Sequence, residues 1–115
     1  MKLGKIADEL KLENLTAAAD IAGPDVTGGY ASDLLSDVLA NAPRGGVLVT
    51  VQVHLNVIAV AMHAELSGVI FAGGRRPEPA VIQRAVDEGL PLLATALPAF
   101  EVVGRLYHLG IRGQV

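Results

Sequence analysis

The run Val47-Leu48-Val49-Thr50-Val51 constrains this chain more than any other stretch. It is continuous, rich in β-branched residues and free of the polar alternation that marks a strand with one wet face. A strand of this kind is covered on both sides, the condition of a parallel sheet flanked by helices. The pattern returns at Gly68-Val69-Ile70-Phe71-Ala72 and, shorter, at Leu92-Leu93-Ala94-Thr95. Each run is followed by a stretch of helical spacing: Leu55 to Leu66, Pro79 to Glu88, and Pro98 to Gly110. Pro79 suits a first helical turn, and Gly89 suits a helix end. Strand and helix alternating in this way predict an α/β fold: a single domain with a largely parallel β-sheet flanked by helices and joined by right-handed crossovers. At 115 residues the chain is long enough for one real core. The expected layout is a short N-terminal helix over 2–10, a core over 13–110 and a tail over 111–115.

The first half is less regular. Leu3, Ile6, Ala7 and Leu10 follow the spacing of one helix face. No basic recognition helix follows, so a winged-helix DNA reader is set aside. Glu13 to Ala17 predicts a short strand, Ala18 to Ala22 is ambiguous, and Gly23-Pro24 predicts a turn. Val26 to Tyr30 predicts a second short strand. Ser32 is then the expected N-cap of a helix over Asp33 to Ala40, with Leu34, Leu35, Val38 and Leu39 inward. The later helix Leu55 to Leu66 is apolar almost all round. A helix without a solvent face is either sandwiched inside or covered by a second subunit; the second is favoured, with Val57, Ile58, Val60, Ala61 and Met62 as the dimer interface. In the last helix, Phe100, Val103, Leu106 and Tyr107 recur at helical spacing.

Composition narrows the function. Apolar residues make up 51% and charged residues 18%, which excludes a disordered chain. The net charge of -3 and aromatic content of 3% speak against nucleic-acid partners. With no cysteine there is no disulfide, thiolate metal site or thiol catalysis. No apolar run reaches the length of a membrane span, and the N-terminus is no signal h-region, so a soluble cytoplasmic protein is expected.

Ligands of open α/β sheets bind at the carboxyl ends of the strands. Four segments are expected to gather there: Thr27 to Ser32, Gln52 to Asn56, Gly73 to Arg76, and Thr95 to Leu97. In the first, Gly28-Gly29 reads as a turn between strand and helix, where glycines allow positive φ and close approach. It lacks the Gly-Lys-Ser/Thr of a P-loop and the third glycine of a dinucleotide fingerprint. A tight turn is favoured over an anion site. Gln52, His54 and Asn56 group donors and acceptors between a buried strand and a buried helix. Capping of their own loop and of the Gly-Gly loop is weighed above ligand contact. Arg75-Arg76 offers a phosphate two guanidinium groups, with a solvated loop as the plainer reading. His54, His63 and His108 lack metal-ligand spacing, and Asp33 with Asp37 reads as a solvated acidic face rather than a cation site. No nucleophile elbow surrounds Ser32 or Ser36. The candidate ligand residues are Thr27, Gly28, Gly29, Tyr30, Ser32, Gln52, His54, Asn56, Arg75 and Arg76. No metal is expected, and no cofactor is identified.

Asp25-Val26-Thr27-Gly28-Gly29 resembles the motif that names the DRTGG domain. Tyr30 to Ala40 is similar to the helix that follows it in stand-alone members. Val49 to Ala61 resembles a second block, and Ala99 to Gly110 a closing one. Val26 stands where the motif has its arginine, so a role tied to that charge does not carry over. The resemblance implies an α/β fold like the N-terminal domain of bacterial HPr kinase/phosphorylase, dimers, and a regulatory or assembly role. Such domains also occur in phosphotransacetylases, beside cobyrinic acid synthase-like domains, and between CBS domains of regulated pyrophosphatases. A serine kinase label, used for some small members, does not transfer without a P-loop. The expected function is thus a non-catalytic homodimeric module that regulates a partner enzyme, sensing a small anionic metabolite or nucleotide. A purely structural dimerisation module is the alternative. A small enzyme acting on a phosphorylated metabolite, with His54 as acid–base group, ranks third.

Overall fold

The computed structural model describes residues 1–17 and 24–113. The ambiguous stretch Ala18 to Ala22, Gly23 of the Gly23-Pro24 turn and the end of the tail lie outside them. The elements in chain order are α1 (Leu3–Leu10), β1 (Glu13–Asn14), β2 (Gly29–Ala31), α2 (Leu35–Asn41), β3 (Val47–Thr50), α3 (Asn56–His63), β4 (Gly68–Phe71), α4 (Pro79–Glu88), β5 (Leu92–Ala94) and α5 (Ala99–His108). They form one five-stranded sheet in the order β1-β5-β4-β3-β2. β2 to β5 are parallel, and only β1 runs antiparallel, at the β5 edge. The α/β architecture and the buried parallel strands are as the sequence predicts. Every residue of β3, β4 and β5 is buried.

Because β2, β3, β4 and β5 lie side by side in chain order, every crossover winds in the same sense. Right-handed crossovers then put α2, α3 and α4 on one face of the sheet. Val38, Val57, Ile58, Ala61, Val81 and Ala85 from those helices pack there on Leu48, Val69, Phe71 and Leu92. The other face is covered by α1 and α5, whose Leu3, Ile6, Leu10, Val102 and Leu106 pack on Val47, Val49, Ile70 and Leu93. Alternate residues of each strand feed alternate clusters, as the pleat requires. Winding never reverses within the parallel strands, so this sheet has no crevice of the switch-point kind.

Two packing expectations are corrected, in α3 and at α2. Val57 and Ala61 of α3 are fully buried and Ile58 is 2% exposed, all inside the chain's own core. They are not available to a second subunit. Of the expected interface only Val60, half-buried, and Met62, exposed, reach the surface. At α2, Val38 is buried and Leu35 packs half-buried on the same cluster as expected, while Leu34, just before the helix, and Leu39 are exposed. In α5 the inward residues are Val102 and Leu106, and Phe100, Val103 and Tyr107 form an exposed stripe. Short apolar helices on a two-sided sheet have more apolar positions than one buried stripe can use, so periodicity alone overstates what is buried.

Among the described residues no helix is long and apolar enough to cross a membrane. Buried polar groups are satisfied: Thr16, fully buried, donates to Asn14 Oδ1 at 3.1 Å and accepts the Leu92 N–H at 3.1 Å.

Candidate functional site

The Thr27-Gly28-Gly29 segment lies at the amino end of the sheet. Gly29 opens β2, paired with Val47, the first residue of β3. This corrects the expectation that Thr27, Gly28 and Gly29 gather at the carboxyl end. Gly28 precedes the strand and Gly29 is its first residue, so neither follows one. Neither has positive φ. They are needed for space. A Cβ on Gly28 would sit 2.9 Å from the Arg112 carbonyl oxygen, and one on Gly29 would sit 3.3 Å from Ile111 Cγ2. The Gly29 N–H donates to that same Arg112 oxygen at 3.0 Å. Gly28-Gly29 is therefore the seat on which the segment 111–113 lies against the sheet edge. Thr27 ties down the loop between α2 and β3, its N–H donating to the Gly45 carbonyl at 3.0 Å and its Oγ1 to the Arg44 carbonyl at 2.7 Å. Val26, at the place of the motif's arginine, is 5% exposed and packs in the α1/α5 cluster.

The carboxyl end carries a run of side-chain turns. Thr50 Oγ1 accepts the Gln52 N–H at 3.0 Å, Gln52 Oε1 accepts the His54 N–H at 3.1 Å, and His54 Nδ1 accepts the Asn56 N–H at 3.0 Å. Each polar side chain thus bonds the backbone two residues on, which bends the chain from β3 into α3. Asp33 anchors the run: its Oδ1 accepts from Thr50 Oγ1 and from the Val51 N–H, both at 2.8 Å. Gln52 and His54, with Glu78 and Val81 of the α4 start, border an open cavity of about 360 Å³.

Ser32 sits at this end but does not cap a helix. Leu34 takes the N-cap position of α2, and Ser32 Oγ accepts the Leu34 N–H at 3.2 Å. Asp33, expected in the first helical turn, is spent on β3. Asp37 is held instead by Tyr30, whose hydroxyl donates to Asp37 Oδ1 at 2.8 Å, while the Asn41 amide donates at 2.9 Å. The Tyr30 hydroxyl, then Ser32 and Asn41, hold the Asp37 carboxyl below its ordinary value, and the Asp37 bond raises Tyr30 in return.

Arg75 and Arg76 lie at the same end but border a separate hollow of about 200 Å³ with Glu13, Thr95 and Ala96. Gly73 and Gly74 make that turn with φ of +69° and +73°, donating to the Leu97 and Thr95 carbonyls. Arg76 is bound bidentately to Glu13, each contact 2.8 Å, and that pairing lowers the Glu13 carboxyl from its ordinary value. Of the two arginines, Arg75 is the one left to meet an anion. Among the described residues no group of three or more His, Cys, Asp or Glu side chains is placed to hold a metal ion.

The candidate residues thus fall into distinct places. Ser32, Gln52, His54 and Asn56 share the carboxyl end, Arg75 and Arg76 stand apart at the β5 side, and Thr27, Gly28 and Gly29 are at the opposite end. Sequence reading missed Asp33 as the anchor of the polar run and Arg112 as the partner of the glycines. An Asp eighteen residues before its backbone partner leaves no local signal.

The sequence matches no protein-family model and no curated protein. The fold does have a solved counterpart: the CBS and DRTGG domains of the regulatory region of Clostridium perfringens pyrophosphatase, complexed with an activator, diadenosine tetraphosphate. The TM-score is 0.66 at 14% identity, over 90% of this chain and 44% of that one. The fold is DRTGG-like. The chain spans less than half the length of that counterpart. At this identity the likeness carries architecture, and the DRTGG-like domain seats its Thr-Gly-Gly segment at the sheet's amino end.

Proposed function

We propose that this chain is a non-catalytic regulatory module of DRTGG type. It senses a small anionic metabolite or nucleotide, assembles as a homodimer and modulates a partner enzyme in the cytoplasm as one domain. One observation carries the reading. At the strand end where α/β domains hold ligands, the polar side chains are arranged to shape a loop beside an open cavity. A base poised for chemistry has a second group orienting its ring; the His54 ring nitrogen is bound to its own loop backbone. The cavity size falls within the range of small-molecule sites. The solved counterpart supports the reading, being a regulatory region in complex with a nucleotide activator.

A thermal-shift screen of nucleotides and phosphorylated metabolites tests it, since a ligand that binds only the folded state raises the melting temperature. The expected outcome is stabilisation by one compound class, weakened by Gln52→Ala or Arg75→Ala. No stabilisation at saturating levels favours the alternative, a purely structural module, for which the close packing of Gly28 against the Arg112 backbone speaks. The homodimer is assigned to the exposed Leu55 and Met62 and the half-buried Val60, with the exposed Leu34 before α2 and Leu39 within it. Val60→Asp combined with Met62→Asp is expected to give a monomer in light scattering without unfolding the domain. A monomeric wild type removes the dimer.

A further inference from the structure

The exposed stripe on α5 borders a groove that none of the sites above uses. The groove measures about 360 Å³ and lies between α5 and the edge strand β2. Its origin is in the register. Gly29 and Ala31 pair with Val47 and Val49, which belong to the α1/α5 cluster, so both face α5. The two positions where a sheet beside a helix normally carries large side chains hold a hydrogen and a methyl. Ile111 Cγ2 covers Gly29, 3.3 Å from where its Cβ would sit, and beyond it the space beside Ala31 stays unfilled. Its floor and walls are apolar: Val49, Val103, Leu106 and Ile111.

The groove also has a charged end. The segment 111–113, seated on Gly28-Gly29, brings Arg112 over the Tyr107 ring at 3.8 Å from the centroid. One guanidinium nitrogen donates to the Tyr107 carbonyl, which fixes the head at the groove mouth. A guanidinium has five N–H donors, so most stay available. Among the described residues lining the groove, Arg112 carries the only charge. A lone cation at the rim of an apolar slot beside an aromatic ring selects an amphipathic anion.

We propose that the groove between β2 and α5 binds a small planar-ring compound bearing one acidic group, the ring lying in the slot beside Ala31 and the acid on Arg112. The site is separate from the carboxyl-end cavity. The acid arrives as a carboxylate on the ring or as a phosphate joined to it through a sugar.

The test is isothermal calorimetry with two probes, indole-3-acetate and adenosine 5′-monophosphate, on the wild type and on Arg112→Gln, Arg112→Lys, Ala31→Leu and His54→Ala. Saturable binding of either probe is expected, and which one binds names the source of the acid. Arg112→Gln weakens it by roughly tenfold or more, the worth of a hydrogen bond to a charged group. Arg112→Lys recovers part of the loss. Ala31→Leu fills the slot and abolishes binding; position 31 is exposed, so this variant stays testable if changes at Arg112 disturb the fold. His54→Ala leaves binding unchanged. Binding indifferent to Arg112→Gln and Ala31→Leu, or lost in His54→Ala, overturns the groove and leaves the ligand-sensing module standing with its site at the carboxyl end. Failure of both probes to bind overturns the groove alone. A wild-type dimer that Ala31→Leu dissociates also overturns it, because a second copy then fills the slot.

Discussion

The two ends of the sheet solve the same problem, turning the chain into and out of buried strands, by different means. At the amino end backbone packs on backbone. Gly28 and Gly46 are required for space: a Cβ on either would come within 2.9 Å of a carbonyl oxygen, of Arg112 and of Pro43 respectively. At the carboxyl end the turns are made by conformation and by side chains. Gly73 and Gly74 have left-handed φ with no close neighbour at their missing Cβ, and Thr50, Gln52 and His54 bond the backbone two residues on. Where Gly28 and Gly46 pack on backbone there is no room for a ligand. An end built from polar side chains around hollows has donors, acceptors and space. The Gly28-Gly29 motif is therefore architectural, and the polar loops of the carboxyl end offer groups for recognition.

Placing the same residue at both ends tests this contrast most sharply. Gly28→Asn is expected to cost about 2–3 kcal/mol in urea unfolding, since the new Cβ meets backbone that has to move. Hydrogen exchange at the Gly29 amide should quicken with it, because segment 111–113 is displaced. Next in size is Asp33→Ala, which removes both bonds anchoring the polar run and strands the Thr50 hydroxyl. A loss of about 1–2 kcal/mol is expected, and Asp33→Asn should recover part of it. Gly74→Asn is the counterpart of the first change and should cost only about 0.5 kcal/mol, because Asn enters the left-handed region readily and meets nothing there. Equal costs for Gly28→Asn and Gly74→Asn would erase the distinction between the ends.

The smallest effect is on pH dependence. The Tyr30–Asp37 bond joins the edge strand to α2, and it lowers the folded pKa of Asp37 from the ordinary 3.8. A carboxyl lowered on folding contributes stability that is complete above its unfolded value and is lost as pH falls through the folded one. Tyr30→Phe is therefore expected to flatten the acid limb of a stability-versus-pH profile below about pH 4. An unchanged acid limb would show that exposure to solvent has screened the pair to nothing.

How much was legible in the sequence follows from which interactions are local. The buried strands, Pro79 at the start of α4, Gly89 at its end and the face of α1 are set by neighbours in the chain, and their residues announce them. The polar run from Thr50 to Asn56 is also local, and capping of its own loop was readable. Its Asp33 anchor was not, because Asp33 looks like any acidic residue at the start of a helix. The apolar excess of α2, α3 and α5 was visible as an excess. Which leucines and valines it left outside depended on how each helix rotated over the sheet.

By itself, then, the sequence determined the layering: buried parallel strands, amphipathic and apolar helices between them, one α/β domain without a P-loop. Those follow from period and composition, which act over a few residues. Only the tertiary structure decided the end of the sheet to which Gly28-Gly29 belongs, what lies against those glycines, and that Val57, Ile58 and Ala61 are core. It also decided that Ala31, unremarkable in the sequence, leaves a slot under α5. The register of an edge strand and the docking of a segment some eighty residues away depend on contacts between chain segments that no local pattern records.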